Sequence, residues 1–166
     1  MQEYVTLIDP NDNIIWKEEK LKAHELWLLH RAFSVLVFNK KWELLLEQRE
    51  KNKYHCWWLW ANTVCSHPRS WENYEEAAHR RLKEEFWFDC DIEHKFDMPY
   101  KASFENWLIE HELDKIFIWY YDWPVKPNPE EIMDYKWIDI ENLKKDIKSE
   151  PEKYTPRFKL IMERWE

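Results

Sequence analysis

At 166 residues the chain is long enough for one domain with a buried core and too short to call for two, so residues 1–166 are read as a single unit. The net charge of -8 argues against a general nucleic-acid or membrane-surface partner, since both are anionic and need a basic face. Three cysteines, Cys56, Cys65 and Cys90, are an odd number without C-x-x-C spacing, so neither a disulfide framework nor a zinc knuckle is indicated and thiols in a reducing compartment are expected.

No run approaches the ~18 apolar residues of a membrane span, and Met1 to Val5 lacks the basic-then-apolar order of an export leader. The expectation is a soluble, cytoplasmic protein, acting as a monomer with a dimer as the alternative. The composition holds one anomaly: no glycine and 13 tryptophans, where average usage would give roughly a dozen glycines. Several tryptophans stand in turn contexts. Trp42 follows Asn39-Lys40-Lys41, Trp123 follows Tyr-Tyr-Asp, and Trp87 comes after a helical run where a glycine cap is expected. Ten positions (Trp16, Trp27, Trp42, Trp57, Trp58, Trp71, Trp87, Trp107, Trp119 and Trp123) are read as glycine slots filled by tryptophan, leaving Trp60, Trp137 and Trp165 as ordinary.

In chain order, Tyr4 to Ile8 and Asn13 to Trp16 read as strands around an Asp-Pro-Asn-Asp turn, and Arg31 to Phe38 with Glu43 to Gln48 as a hairpin. Asn73 with Glu76 forms a capping box, and Tyr74, Ala77, Ala78, Leu82 and Phe86 follow at helical spacing, which predicts a helix over 73–86. Cys90 to Phe96, Leu108 to Tyr121 and Asp134 to Ile138 favour strands, and Ile140 to Ile147 and Thr155 to Trp165 favour helices. The class is α+β, with a mixed sheet between helices.

Cys65 and His67 would share one side of an extended segment, because strand side chains alternate, and Glu110 and Glu112 repeat that spacing. Either pair alone also suits solvent-facing polar residues. Together, imidazole and carboxylate suit a divalent cation such as zinc, manganese or magnesium, and His24 and His30 could complete the shell if their loop folds over it. Arg81 and Glu85 stand one helical turn apart, as a solvated face or as a phosphate-binding arginine beside a magnesium-holding carboxylate. Arg49 and Lys53 are two more candidate phosphate cations.

The chain resembles the type 1 isopentenyl diphosphate isomerases, which have a Nudix-like fold. Lys-Ala-His (22–24), Leu-His-Arg-Ala-Phe-Ser (29–34), Leu-Trp-Ala-Asn-Thr-Val-Cys-Ser-His-Pro (59–68), Ala-Ala-His-Arg-Arg-Leu-Lys-Glu-Glu (77–85) and Glu-His-Glu-Leu (110–113) carry the resemblance. It implies interconversion of isopentenyl and dimethylallyl diphosphate through a carbocation-like state, with Cys65 and Glu112 as the opposed acid and base and Tyr100 orienting the glutamate. It further implies a catalytic metal on His24, His30, His67, Glu110 and Glu112, and a magnesium carried with the substrate at Glu85 and the Cys65 carbonyl. Lys20, Arg49, Lys53 and Arg81 match the diphosphate-holding cations. A Nudix hydrolase is the rival reading, but Ala77 and Arg81 stand where its signature needs carboxylates. The chain also departs from the resemblance at Arg157, where the isomerases place a tryptophan facing the cation. An arginine offers no π face and opposes positive charge, which keeps an inactive, redesigned scaffold of the same ancestry as a further alternative.

Overall fold

The computed structural model describes residues 3–49, 58–103 and 109–165. Lys53, Trp57 and Trp107 lie outside these. Among the described residues a mixed sheet of nine strands is built on His30–Phe38 (β3), buried at every position but Arg31. β1 (Tyr4–Ile8) pairs with β2 (Ile14–Glu19) and touches β3 where Leu7 meets His30. The hairpin partner β4 (Glu43–Arg49) meets β3 antiparallel at Phe38 and Leu44, then runs beside the two-residue β5 (Trp60–Ala61). β6 (Val64–Ser66) lies antiparallel to β3, with Ser34 opposite Cys65.

The helix predicted over 73–86 is α2 (Tyr74–Phe86), following a six-residue α1 (Lys20–Glu25). Its capping box forms as the sequence implies. Asn73 accepts from the Glu76 N–H at 2.8 Å, and the Glu76 carboxylate accepts from the Asn73 N–H at 2.9 Å. β7 (Glu93–Ser103) and β8 (Ile109–Tyr120) form a long antiparallel pair, and β8 continues parallel to β3 for nine residues. β9 (Ile132–Asp139) pairs with β4 and leads into α3 (Ile140–Ser149), a 3-10 turn at Pro151–Lys153, and α4 (Pro156–Glu163).

The alternation of β3 assigns the two layers. Phe33, Val35 and Val37 pack with Tyr74, Ala77, Ala78, Leu82 and Phe86 of α2, while Leu36 and Phe38 pack with Leu143 of α3 and Phe158, Ile161 and Met162 of α4. A strand covered on both faces needs apolar residues at every step, which explains the unbroken run Val35–Phe38.

Two sequence expectations change. The strand read as Cys90 to Phe96 begins at Glu93 and extends to Ser103, so that it includes Tyr100. Pro99 within it is tolerated because, among the described residues, β7 pairs with β8 alone and is an edge strand. The segment around His24, read as a loop, is helix α1, stopped at Leu26 and Trp27.

Four of the inferred glycine slots, Trp27, Trp42, Trp58 and Trp87, have left-handed backbone with φ between 53° and 63°, and Trp87 is the C-cap of α2. Trp16, Trp71, Trp119 and Trp123 are not in that region, so backbone geometry alone does not call for glycine there. Trp16 and Trp119 lie inside strands. The three tryptophans read as ordinary are half-buried, whereas Trp16, Trp27, Trp42, Trp58, Trp71, Trp87 and Trp123 are exposed. Each left-handed non-glycine residue costs roughly 1–2 kcal/mol, part of which glycine would return as unfolded-state entropy. Trp27→Gly and Trp87→Gly should therefore each raise the urea unfolding free energy by ~0.5–1 kcal/mol, while Trp16→Gly in the interior of β2 should lower it.

Candidate metal and acid–base site

Strand register assembles the site. His30 on β3 stands beside Glu112 on β8, and Glu112 stands beside Tyr100 on β7, so three side chains from three strands reach one spot. Cys65 and His67 arrive from β6 and the residue after it, and His24 from α1. The ligand atoms of His24, His30, His67 and Glu112 all lie within 4.8 Å of one another.

Hydrogen bonding fixes how two of these imidazoles face the centre. His24 Nδ1 lies 2.6 Å from the Lys20 carbonyl and His30 Nδ1 lies 2.7 Å from the Leu28 carbonyl. Each ring must donate from Nδ1 to those oxygens, which leaves the Nε2 lone pair for the interior. Both Nε2 atoms point at Glu112 Oε1, at 3.8 Å and 3.3 Å, and His67 Nε2 joins them at 2.8 Å. Acceptor lone pairs aimed at a carboxylate oxygen repel unless a cation lies between them. Burial lowers the His24 pKa and takes His67 down to about 3 against the pull of Glu112, so these two rings are neutral ligands and not imidazolium ions. His30 Nε2 has no hydrogen-bond partner. This donor set fits a divalent metal.

Glu110 is buried but outside that cluster; its Oε2 lies 3.2 Å from Arg157 Nη2. Arg157 enters from the first turn of α4, where Thr155 caps the helix and Pro156 opens it. Its buried guanidinium donates to Cys65 Sγ at 2.7 Å, pairs with Glu112 Oε2, and sits over the Tyr100 ring with 5.2 Å from Cζ to the ring centroid. Tyr100 Oη is buried without a well-formed hydrogen bond, and burial followed by the neighbouring Glu110 charge raises its pKa.

The acid–base candidates have opposite charge states. Burial pushes the Cys65 thiol up to about 12, with Arg157 opposing the rise, so it is a protonated thiol at neutral pH. Burial would also raise Glu112, but chiefly the Arg157 guanidinium overcomes it and holds the carboxyl well below its usual range. Asp114, not anticipated from the sequence, is fully buried behind them and accepts from Ser34 Oγ at 2.9 Å. Loss of solvation lifts its pKa to about 7. The signal was present as a third acidic residue at the same spacing, Glu110-x-Glu112-x-Asp114.

Of the candidate diphosphate cations, Lys20, Arg49 and Arg81 fall among the described residues, and Lys20 and Arg81 have carboxylates against them. Lys20 Nζ is 2.9 Å from Glu3, whose pKa is lowered chiefly by Lys20 and further by His67 and Arg81. Arg49, at the end of β4, keeps a buried Nε without a hydrogen bond. Arg81 pairs with Glu85 and reaches Glu84 at 2.7 Å and Glu131 at 3.2 Å. Glu85 is thus engaged by its own helix neighbour and does not join the histidine cluster.

A family model described as the NUDIX domain matches residues 28–158. Proteins named isopentenyl-diphosphate Delta-isomerase are similar over most of their length. One from Burkholderia multivorans is 43% identical, covering 99% of this chain and 93% of its own, and one from Photorhabdus laumondii is 43% identical, covering 98% and 92%. Another from Aromatoleum aromaticum is 41% identical, covering 93% and 82%. A crystallised protein of Deinococcus radiodurans shares the fold, with a TM-score of 0.78 at 17% identity over 98% of both chains.

The thiolate, not the thiol, is the nucleophile toward alkylating agents, so a raised pKa means slower labelling at a given pH. Iodoacetamide modification of Cys65 at pH 8, followed by peptide mass mapping, should be at least ~100-fold slower than that of free cysteine. A rate like that of free cysteine would show an ionised or solvated thiol instead.

Proposed function

Since the chain belongs to the isopentenyl-diphosphate Delta-isomerase family within the Nudix superfamily, we propose that it interconverts isopentenyl and dimethylallyl diphosphate with Cys65 and Glu112 as the proton-transfer pair. The observation that carries the assignment is a protonated thiol and an ionised carboxylate facing each other across one planar group, the Arg157 guanidinium. A trigonal carbon with three substituents has that same shape. Moving a double bond requires a proton added to one carbon and another removed from its neighbour; a donor and an acceptor across a trigonal centre meet both needs.

In the isopentenyl to dimethylallyl direction, one residue of the pair delivers its proton to the terminal alkene carbon and the other takes a proton from the opposite allylic carbon. Both end in the reverse protonation state, and solvent exchange restores them. Tyr100 lies beside Glu110 and beneath the gap, where its hydroxyl can orient the carboxylates. His24, His30, His67 and Glu112 would hold one divalent metal, with Glu110 supplementing them, and that cation supplies charge that tunes the acidity of Glu112. Imidazole-rich sites favour zinc or manganese over magnesium, whose preference is for oxygen. Lys20, Arg49, Lys53 and Arg81 would take the diphosphate oxygens, displacing Glu3 from Lys20, and Glu85 would hold the magnesium that accompanies them.

Hydrolysis is the weaker reading. Arg81 occupies the centre of the Glu84, Glu85 and Glu131 carboxylates, where a water-activating metal cluster would need its cations.

Cys65→Ala and Glu112→Gln should each cut isomerisation by at least ~1,000-fold, measured by radiolabelled isopentenyl diphosphate conversion, and chelation should abolish it. Undiminished turnover in either variant would remove that residue from the reaction. Phosphate release from nucleoside diphosphate derivatives would restore the hydrolase.

A further inference from the structure

The reaction just described does not use Arg157, although it touches both members of the proposed proton-transfer pair. Its guanidinium is planar, carries a full positive charge and is buried between the proton donor, the proton acceptor and an aromatic ring. Those are the surroundings a carbon passing through a cationic state would need. The side chain therefore imitates, within the chain itself, the charged state the site is built to hold. It is also ion-paired with the carboxylate that faces the histidine cluster, for Glu112 presents Oε1 to three imidazoles and Oε2 to Arg157. One carboxylate cannot give its full charge to two cations.

We propose that Arg157 is a displaceable internal cation that fills the gap between Cys65 and Glu112 in the resting protein and competes with the divalent metal for Glu112. The inference rests on the isomerase reading for the identity of the gap, but not for the competition at Glu112. Like charge repels the entering metal, and the occupied gap keeps the alkene from its acid and base. Turnover requires the side chain to swing away, and the metal favours that movement by drawing Glu112 toward the imidazoles. Nothing covalent changes, so the device is reversible.

The test is Arg157→Met, neutral and of similar length, and Arg157→Lys, which keeps the charge, with Arg157→Gln as a second neutral variant should the methionine protein fail to fold. Manganese binding is followed by calorimetry and isomerisation by radiolabel conversion. Both neutral variants are expected to bind manganese at least about tenfold more tightly and to raise kcat/KM at least about tenfold, whereas Arg157→Lys stays within about threefold of the native chain in both. Manganese affinity unchanged in the neutral variants, or a fall in kcat/KM on removing the charge, overturns the proposal and makes Arg157 a productive group. Tighter manganese binding with no isomerisation by any variant supports the competition at Glu112 and sinks the isomerase reading instead.

Discussion

The parallel pairing of β3 with β8 is the constraint on which the site depends. It sets His30 against Glu112, and the antiparallel pairing of β8 with β7 then sets Tyr100 on the other side of the same glutamate. Because side chains alternate with a period of two, a one-residue slip of β8 would turn Glu110, Glu112 and Asp114 to the opposite face and leave the histidines without a carboxylate. The register is held by burial on both faces of β3, against α2 on one side and α3 and α4 on the other. Core packing and ligand placement are therefore one structural decision.

Burial then produces opposite results in neighbouring groups. The same loss of water that keeps Cys65 protonated keeps His67 neutral, and it works against the charge of Glu112, which Arg157 favours. Desolvation favours the uncharged form of every group, so an ionised base in such a pocket needs a cation nearby. Arg157 supplies one in the structure described; a metal among the three imidazoles would supply another. The two sources of charge differ in consequence, since one stands beside the reaction space and the other within it.

Most of this was legible in the residues. The capping box at Asn73 and the stripe of α2 fixed that helix, and the paired spacings of Cys65 with His67 and Glu110 with Glu112 marked the two chemical strands. Asp114 continued the latter pattern, but spacing alone does not tell a buried acidic side chain from a solvent-facing one. Helix α1 was hidden by its six residues, too few for a periodic signal, and the extent of β7 was hidden by Pro99, which ordinarily argues against a strand. The resemblance singled out Arg157, but only side-chain geometry shows it turned inward onto Cys65 and Glu112. The glycine slots divided by the same physics. Turn and cap contexts at Trp42 and Trp87 foretold left-handed backbone, while Trp16 and Trp119 sit in strands where any residue's dihedrals suffice.

The exposed indoles have an effect beyond the backbone that carries them. Seven large rings are spread over the surface of a molecule with a net charge of -8. Exposed indoles offer apolar contact between copies, and mutual repulsion opposes it only while the charge is felt across the gap. That reach shrinks from ~30 Å at 0.01 M ionic strength to ~10 Å at 0.1 M. Added salt thus makes the protein stickier toward itself, and its solutions stay clearest in dilute buffer.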